Sequence, residues 1–133
     1  MSIRVFHRDS PSMYLPLISK DARLIIWPGV DAWRANLAYV RLEADESNKP
    51  HVHTISEDTI FILEGEGTIR DFTNGVDLPF RAGCLVHVPV GIEHAVMANK
   101  GVGIVSIGGP TPADLPLLKA LDLIPADSTL PDA

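Results

Sequence analysis

Eleven prolines and ten glycines are scattered through 133 residues, and only short apolar runs lie between them. That punctuation restricts the fold more than any other feature. Each proline or glycine ends a run early, and many short runs bounded by turn residues belong to β-sandwiches and barrels. Residues 22–29, ARLIIWPG, read as a strand stopped by Pro28-Gly29. Residues 35–44, ANLAYVRLEA, read as a longer strand with Ala38, Val40 and Leu42 on one face and Tyr39, Arg41 and Glu43 on the other. Residues 58–65, DTIFILEG, form the most apolar run, and EGEG at 64–67 reads as a glycine turn. Around Asn74-Gly75 two runs, TIRDFT and VDLPFR, predict a hairpin with a type I′ turn. Residues 84–89 and 101–109 complete the strands.

After Pro110 the pattern changes. TPADLPLLKALDLI predicts a short helix with Thr111 as N-cap, Pro112 at its first position and Asp114 at its third. Pro116 sits inside the first or second turn and leaves the start open. Nothing alternates strand with helix, so the expectation is an all-β fold. It is a single domain over 1–133, with a barrel core at about 22–109 and a helix and tail at about 111–133.

Charge and composition exclude several functions. A formal charge of −6, with no Lys/Arg cluster, argues against a nucleic-acid or anionic-membrane partner. The single cysteine, Cys84, cannot form an internal disulfide, which suits a reducing compartment. The N-terminus lacks the apolar core of a secretion signal, and no run approaches membrane-span length. A cytoplasmic protein acting on a small molecule is expected. Apolar strand segments on both faces (Ile25, Ile26, Trp27; Ile60, Phe61, Ile62, Leu63) suggest a homodimer that covers them.

The chemistry lies in PHVHTISEDTIFILEGEG, residues 50–67. Residues i and i+2 of a strand share a face about 6.6 Å apart. His51 and His53 can therefore converge on one metal ion, as two imidazoles must to reach it at about 2.0–2.1 Å. A carboxylate just beyond them, and a third histidine from a distant segment, would complete a three-histidine, one-carboxylate site. GCLVHVPVGIEHAVMAN, residues 83–99, offers that segment: Pro89 and Gly91 make a turn, and His94 follows on a fresh strand.

At this point the chain, over residues 35–108, resembles the cupin superfamily of small jelly-roll β-barrels. Gly83, Pro89, Gly91 and His94 match the family's second motif in every spacing, with Asn99 one residue late. His51, His53 and Gly65 match its first motif, although Asp45 stands where the opening glycine belongs. Counting back from Gly65, the family's glutamate falls on Asp58, while Glu57 has the preferred side chain one position early. Neighbouring strand residues face opposite sides, so only one can serve. Asp58 is favoured because it keeps Ile60 and Ile62 in register.

The resemblance implies a metal centre of His51, His53, Asp58 and His94 holding Fe, Ni, Mn, Zn or Cu. It also implies a metal-dependent dioxygenase, isomerase or lyase acting on a small polar or carboxylated molecule, or alternatively a non-catalytic ligand-binding barrel. Tyr39, Arg41 and Glu57 are the candidates to position substrate or move a proton. His87 and Cys84 are read as structural and His7 as solvated. Trp27, Trp33 and Phe61 are read as core or dimer-contact aromatics.

Overall fold

The computed structural model describes residues 2–132. The strands are β1 (Met13–Tyr14), β2 (Asp21–Ile26), β3 (Leu37–Leu42), β4 (Glu57–Glu64), β5 (Glu66–Asp71), β6 (Val76–Arg81), β7 (Leu85–Val88), β8 (His94–Ala98) and β9 (Ile104–Thr111). A 3-10 turn at Pro28–Val30 follows β2, and one α-helix, α1 (Leu115–Ala120), follows β9. All pairings between these strands are antiparallel. They form a six-stranded sheet, β1-β2-β3-β9-β4-β7, and a three-stranded sheet, β6-β5-β8. The fold is all-β, as the punctuation predicts.

The two sheets bury their facing residues against each other. Leu42, Ile62, Val88 and Ile104 from the large sheet meet Ile69, Phe80 and Val96 from the small one. Helix α1 adds a second core, in which Leu115 and Leu118 pack with Leu24, Trp27, Ala113 and Ile124. The large sheet is also apolar on its outer face, where Ile25, Tyr39 and Val105 are covered by Phe6 of the N-terminal arm. Ile25, Trp27 and Ile62, three of the residues expected to drive dimer formation, are thus buried within one chain, while Leu63 is exposed.

Two local expectations are corrected. The β5–β6 hairpin closes through Phe72–Gly75 and not through a two-residue type I′ turn. Asp71 pairs with Val76, and only Gly75 of the expected turn pair has positive φ, 69°. The reason is Asp71, whose carboxylate accepts from both the backbone N and the side-chain Nδ2 of Asn74, at 2.8 Å each. An aspartate that caps its own turn in this way selects a wider loop. The helix likewise starts later than expected. Thr111 still pairs with Glu57 in the β4–β9 ladder, so it cannot cap a helix. Asp114 is the N-cap, and its carboxylate accepts from the backbone N–H of Leu117. Pro116 then falls in the first turn, where its missing N–H has no intrahelical acceptor to lose.

Gly65 and Gly108 are required by close approach. A Cβ on Gly65 (φ 87°) would lie 1.8 Å from the Gly103 carbonyl oxygen, and one on Gly108 (φ 148°) would lie 1.9 Å from that of Thr59. Gly108 is where β9 runs between Ala38 of β3 and Ile60 of β4, so this glycine lets three strands pack beneath the site.

Candidate metal centre

Alternation along β4 decides which acid faces inward. Asp58 and Ile62 are buried while Glu57, Thr59 and Leu63 are exposed. Glu57 instead meets His87 on the outside, with His87 Nε2 2.7 Å from Glu57 Oε1. On β3 the inward face is Ala38, Val40 and Leu42, which line the cavity between the sheets. Tyr39 and Arg41 therefore lie on the outer face and do not line it. Tyr39 is buried beneath the Arg23 guanidinium, 4.9 Å from its ring centre, and Arg41 is exposed near Asp21. None of the three candidates for positioning substrate reaches the cavity. His7 is exposed, Cys84 is a half-buried free thiol packed on the core, and Trp27 and Trp33 belong to the helix-side core.

His51, His53, Asp58 and His94 do converge. One donor atom from each lies within 4.8 Å of the others. Backbone pairing fixes two of them, because His51 and His94 exchange both N–H···O bonds at 3.0 Å across an isolated bridge. His53 is tied to the turn before β8 through Gly91, whose N–H donates to its carbonyl at 2.9 Å. The ring centroids stand 5.0, 4.4 and 5.3 Å apart.

The hydrogen bonds settle the ring tautomers. His51 Nδ1–H donates to the Lys49 carbonyl at 2.7 Å, His94 Nδ1–H to the Ile92 carbonyl at 2.9 Å, and His53 Nδ1–H to Asp114 Oδ2 at 2.6 Å. Three acceptors on the Nδ1 side leave three Nε2 atoms to point inward. His53 Nε2, His94 Nε2 and Asp58 Oδ1 are all buried with no hydrogen-bond partner. Unpartnered polar atoms converging in a buried site are costly unless a ligand takes them. A metal ion is the ligand this donor set fits. Two atoms bound to one ion at about 2.1 Å stand about 3.0–3.4 Å apart. Asp58 Oδ2 lies 3.3 Å from His53 Nε2 and 3.7 Å from His94 Nε2.

The electrostatics agree with that donor set in two of three groups. Burial outweighs the Lys49 carbonyl and, with repulsion from the other rings, holds the His51 pKa below the ordinary imidazole value. Burial disfavours the Asp58 carboxylate, but His53 and His94 outweigh it and draw its pKa down to about 2. His53 goes the other way. Burial lowers its pKa, yet the Asp114 bond and the nearby Asp58 raise it to about 9. An incoming metal must therefore displace a proton from His53.

Asp114 is the site residue that sequence reasoning missed. It is 2% exposed, and its two oxygens serve different partners, His53 through Oδ2 and the start of α1 through Oδ1. Carboxylate–histidine pairs of this kind orient metal-binding rings. The signal present in the sequence was an acid at a helix start, which the expected cap at Thr111 had already claimed.

The inner side of the cluster opens on a cavity of about 100 Å³. A motif model described as "Cupin domain" matches residues 38–107, more than half of the chain, and the protein belongs to the cupin family. Solved structures of similar fold include the polyketide cyclase RemF from Streptomyces resistomycificus, at 22% identity and TM-score 0.69 over 87% of this chain and 83% of that one. A conserved protein with a double-stranded β-helix domain from Klebsiella pneumoniae subsp. pneumoniae matches at 19% identity and TM-score 0.65, covering 85% and 93%. A cupin-like protein from Thermotoga maritima matches at 16% and 0.63, covering 78% and 71%. No curated protein is similar enough to count as a relative. No helix among the described residues is long and apolar enough to cross a membrane.

Proposed function

We propose that this protein is a metal-dependent enzyme of the cupin type. His51, His53, Asp58 and His94 would hold one divalent transition metal, and the adjoining cavity would hold a small-molecule substrate. The observation that carries this reading is the convergence of His51, His53, Asp58 and His94, one ligand atom of each within 4.8 Å of the others, with His94 Nε2 and Asp58 Oδ1 buried and unpartnered. A bound divalent ion supplies Lewis-acid polarisation of a substrate oxygen and acidifies bound water. The chain's own part is to hold three neutral rings by their Nδ1 bonds, keep Asp58 ionised, and limit water with the surrounding apolar walls.

Two features favour an enzyme over a purely structural metal. A divalent transition metal that takes more than four ligands would have positions left beyond these four protein donors, which a closed four-coordinate structural site lacks. The fold neighbour RemF is a polyketide cyclase, so this barrel type serves catalysis in at least one chain of similar fold. The test is metal analysis of tag-free protein beside a His51→Ala/His53→Ala double variant. Near-stoichiometric metal in the parent, lost in a folded double variant, is expected. Full metal retention by that variant would refute the site.

A further inference from the structure

Most of the cavity wall is hydrocarbon. Leu24, Val40 and Ile60 face it from the large sheet, Val96 from the small sheet, and Leu117 and Leu118 from α1. Its polar end is the histidine cluster with Asp58 and Asp114, and a few neutral amides and hydroxyls lie elsewhere. Among the described residues no lysine, arginine or glutamate lines it. Arg41, whose planar fork could have bound a carboxylate, lies on the other face of its strand.

The walls then decide what the cavity can hold. A molecule whose charged group lay along these walls would shed its hydration against leucine and valine, with no lysine or arginine side chain to replace it, which is unfavourable. A neutral molecule pays no such penalty, and its hydrocarbon surface is drawn in by burial at roughly 25 cal/mol per Å².

From this we infer that the site takes a neutral molecule with a largely hydrocarbon body and a carbonyl-type oxygen that reaches the metal centre, and not the carboxylated molecule that the family resemblance suggests. The inference rests on the metal-dependent reading only for the role of that oxygen. The walls and the missing cation are independent of it.

The test uses the full chain, tag-free, both zinc-loaded and chelated, with three probes followed by calorimetry or intrinsic fluorescence. 2-Acetylnaphthalene is a neutral ketone, 2-naphthoate is its near-isosteric anion, and acetate is an anion without the body. The zinc-loaded protein should bind the ketone at least about tenfold tighter than naphthoate, a gap of about 1.4 kcal/mol, and should not bind acetate at millimolar concentration. Naphthoate binding as tightly as the ketone, or acetate binding comparably, would overturn the inference. A Leu117→Arg variant adds a guanidinium at a half-buried wall position and should move the preference toward naphthoate by about tenfold. An unchanged preference in a folded variant of unchanged zinc content would show that the walls do not set the charge class. Should metal analysis find no zinc site while the chelated protein still prefers the ketone, the metal reading falls and the inference about the cavity stands.

Discussion

Replacing Asp114 by asparagine should weaken metal binding without unfolding the protein, and the reason can be followed atom by atom. The carboxylate accepts two hydrogen bonds, from His53 Nδ1 at 2.6 Å and from Leu117 N at 3.1 Å. Asparagine has one oxygen where aspartate has two. If that oxygen keeps the cap, the amide NH₂ faces His53 Nδ1 and favours the tautomer whose Nε2 carries the hydrogen, so the ring presents N–H to the metal. If the oxygen turns to His53, the ring keeps its tautomer but loses a charged, strengthening partner. Both arrangements reduce the ring's strength as a ligand.

Loss of such a supporting carboxylate costs about 10- to 100-fold in metal affinity, or about 1.4–2.7 kcal/mol. Asparagine and aspartate are nearly equal N-caps, so the cap is kept, and the chelated protein should lose stability only through the His53–Asp114 pair, a loss that fades as pH rises through about 9. Asp114→Ala removes both bonds. It should show a similar affinity loss and, in addition, about 1 kcal/mol lower stability from the missing cap. Competition with a chromophoric chelator measures affinity, and urea unfolding of chelated protein measures stability. A purely structural Asp114 would produce the stability loss alone. Affinity within about twofold of the parent in both folded variants would refute the positioning role.

Three further outcomes follow from the same geometry. Because His53 holds its proton up to about pH 9 in the metal-free protein, metal uptake near pH 7.5 should release about one proton, and affinity should rise about tenfold per pH unit from 7 to 9. Calorimetry in buffers of different ionisation enthalpy reads this directly, and zero release would contradict it. In the metal-free chain the His53 and Asp58 contributions are both complete between about pH 4 and 6.5, and the lowered His51 pKa puts the melting maximum at the upper end of that window. The raised His53 pKa contributes stability in full below the unfolded imidazole value and loses it as pH climbs through about 9, while the depressed Asp58 pKa contributes above the unfolded carboxylate value and loses it as pH falls through about 2. A melting temperature that rises steadily from pH 6 to 9 in chelated protein would contradict this. Gly108→Ala should destabilise by more than about 3 kcal/mol, since its Cβ would press on the Thr59 carbonyl from a left-handed backbone. Urea unfolding that shows a loss under about 1 kcal/mol would sink that account.

What the sequence disclosed depended on how local the cause was. The pair His51/His53 follows from period-two alternation, which any strand obeys, and the choice of Asp58 over Glu57 from that alternation together with the cupin motif's spacing back from Gly65; the structure brings all three side chains together with His94. The side that Tyr39 and Arg41 face was open for a physical reason. The large sheet is apolar on both surfaces, with Val40 and Leu42 facing the cavity and Ile25, Tyr39 and Val105 beneath the N-terminal arm. Hydrophobic pattern could not tell inside from outside there. Asp114 was hidden for another reason. Its partner is 61 residues away, and its role as cap depended on β9 persisting to Thr111, which is a matter of pairing with Glu57.

Asp114 also joins two things usually treated separately, the closing of the cavity and the strength of the metal site. Helix α1 has six residues, far too few to persist alone in water. It is held by Leu115 and Leu118 in the core and by the Asp114 bond to His53. Its Leu117 and Leu118 in turn form one wall of the cavity. Coupling between two equilibria is reciprocal, so whatever affinity the ion gains from Asp114, the helix gains back in stability when the ion is bound. On the proposed metal-dependent reading, a substrate that entered by displacing this wall would strain the Asp114–His53 bond and weaken the ligand it orients, whereas one small enough to fit beneath the wall would leave both intact.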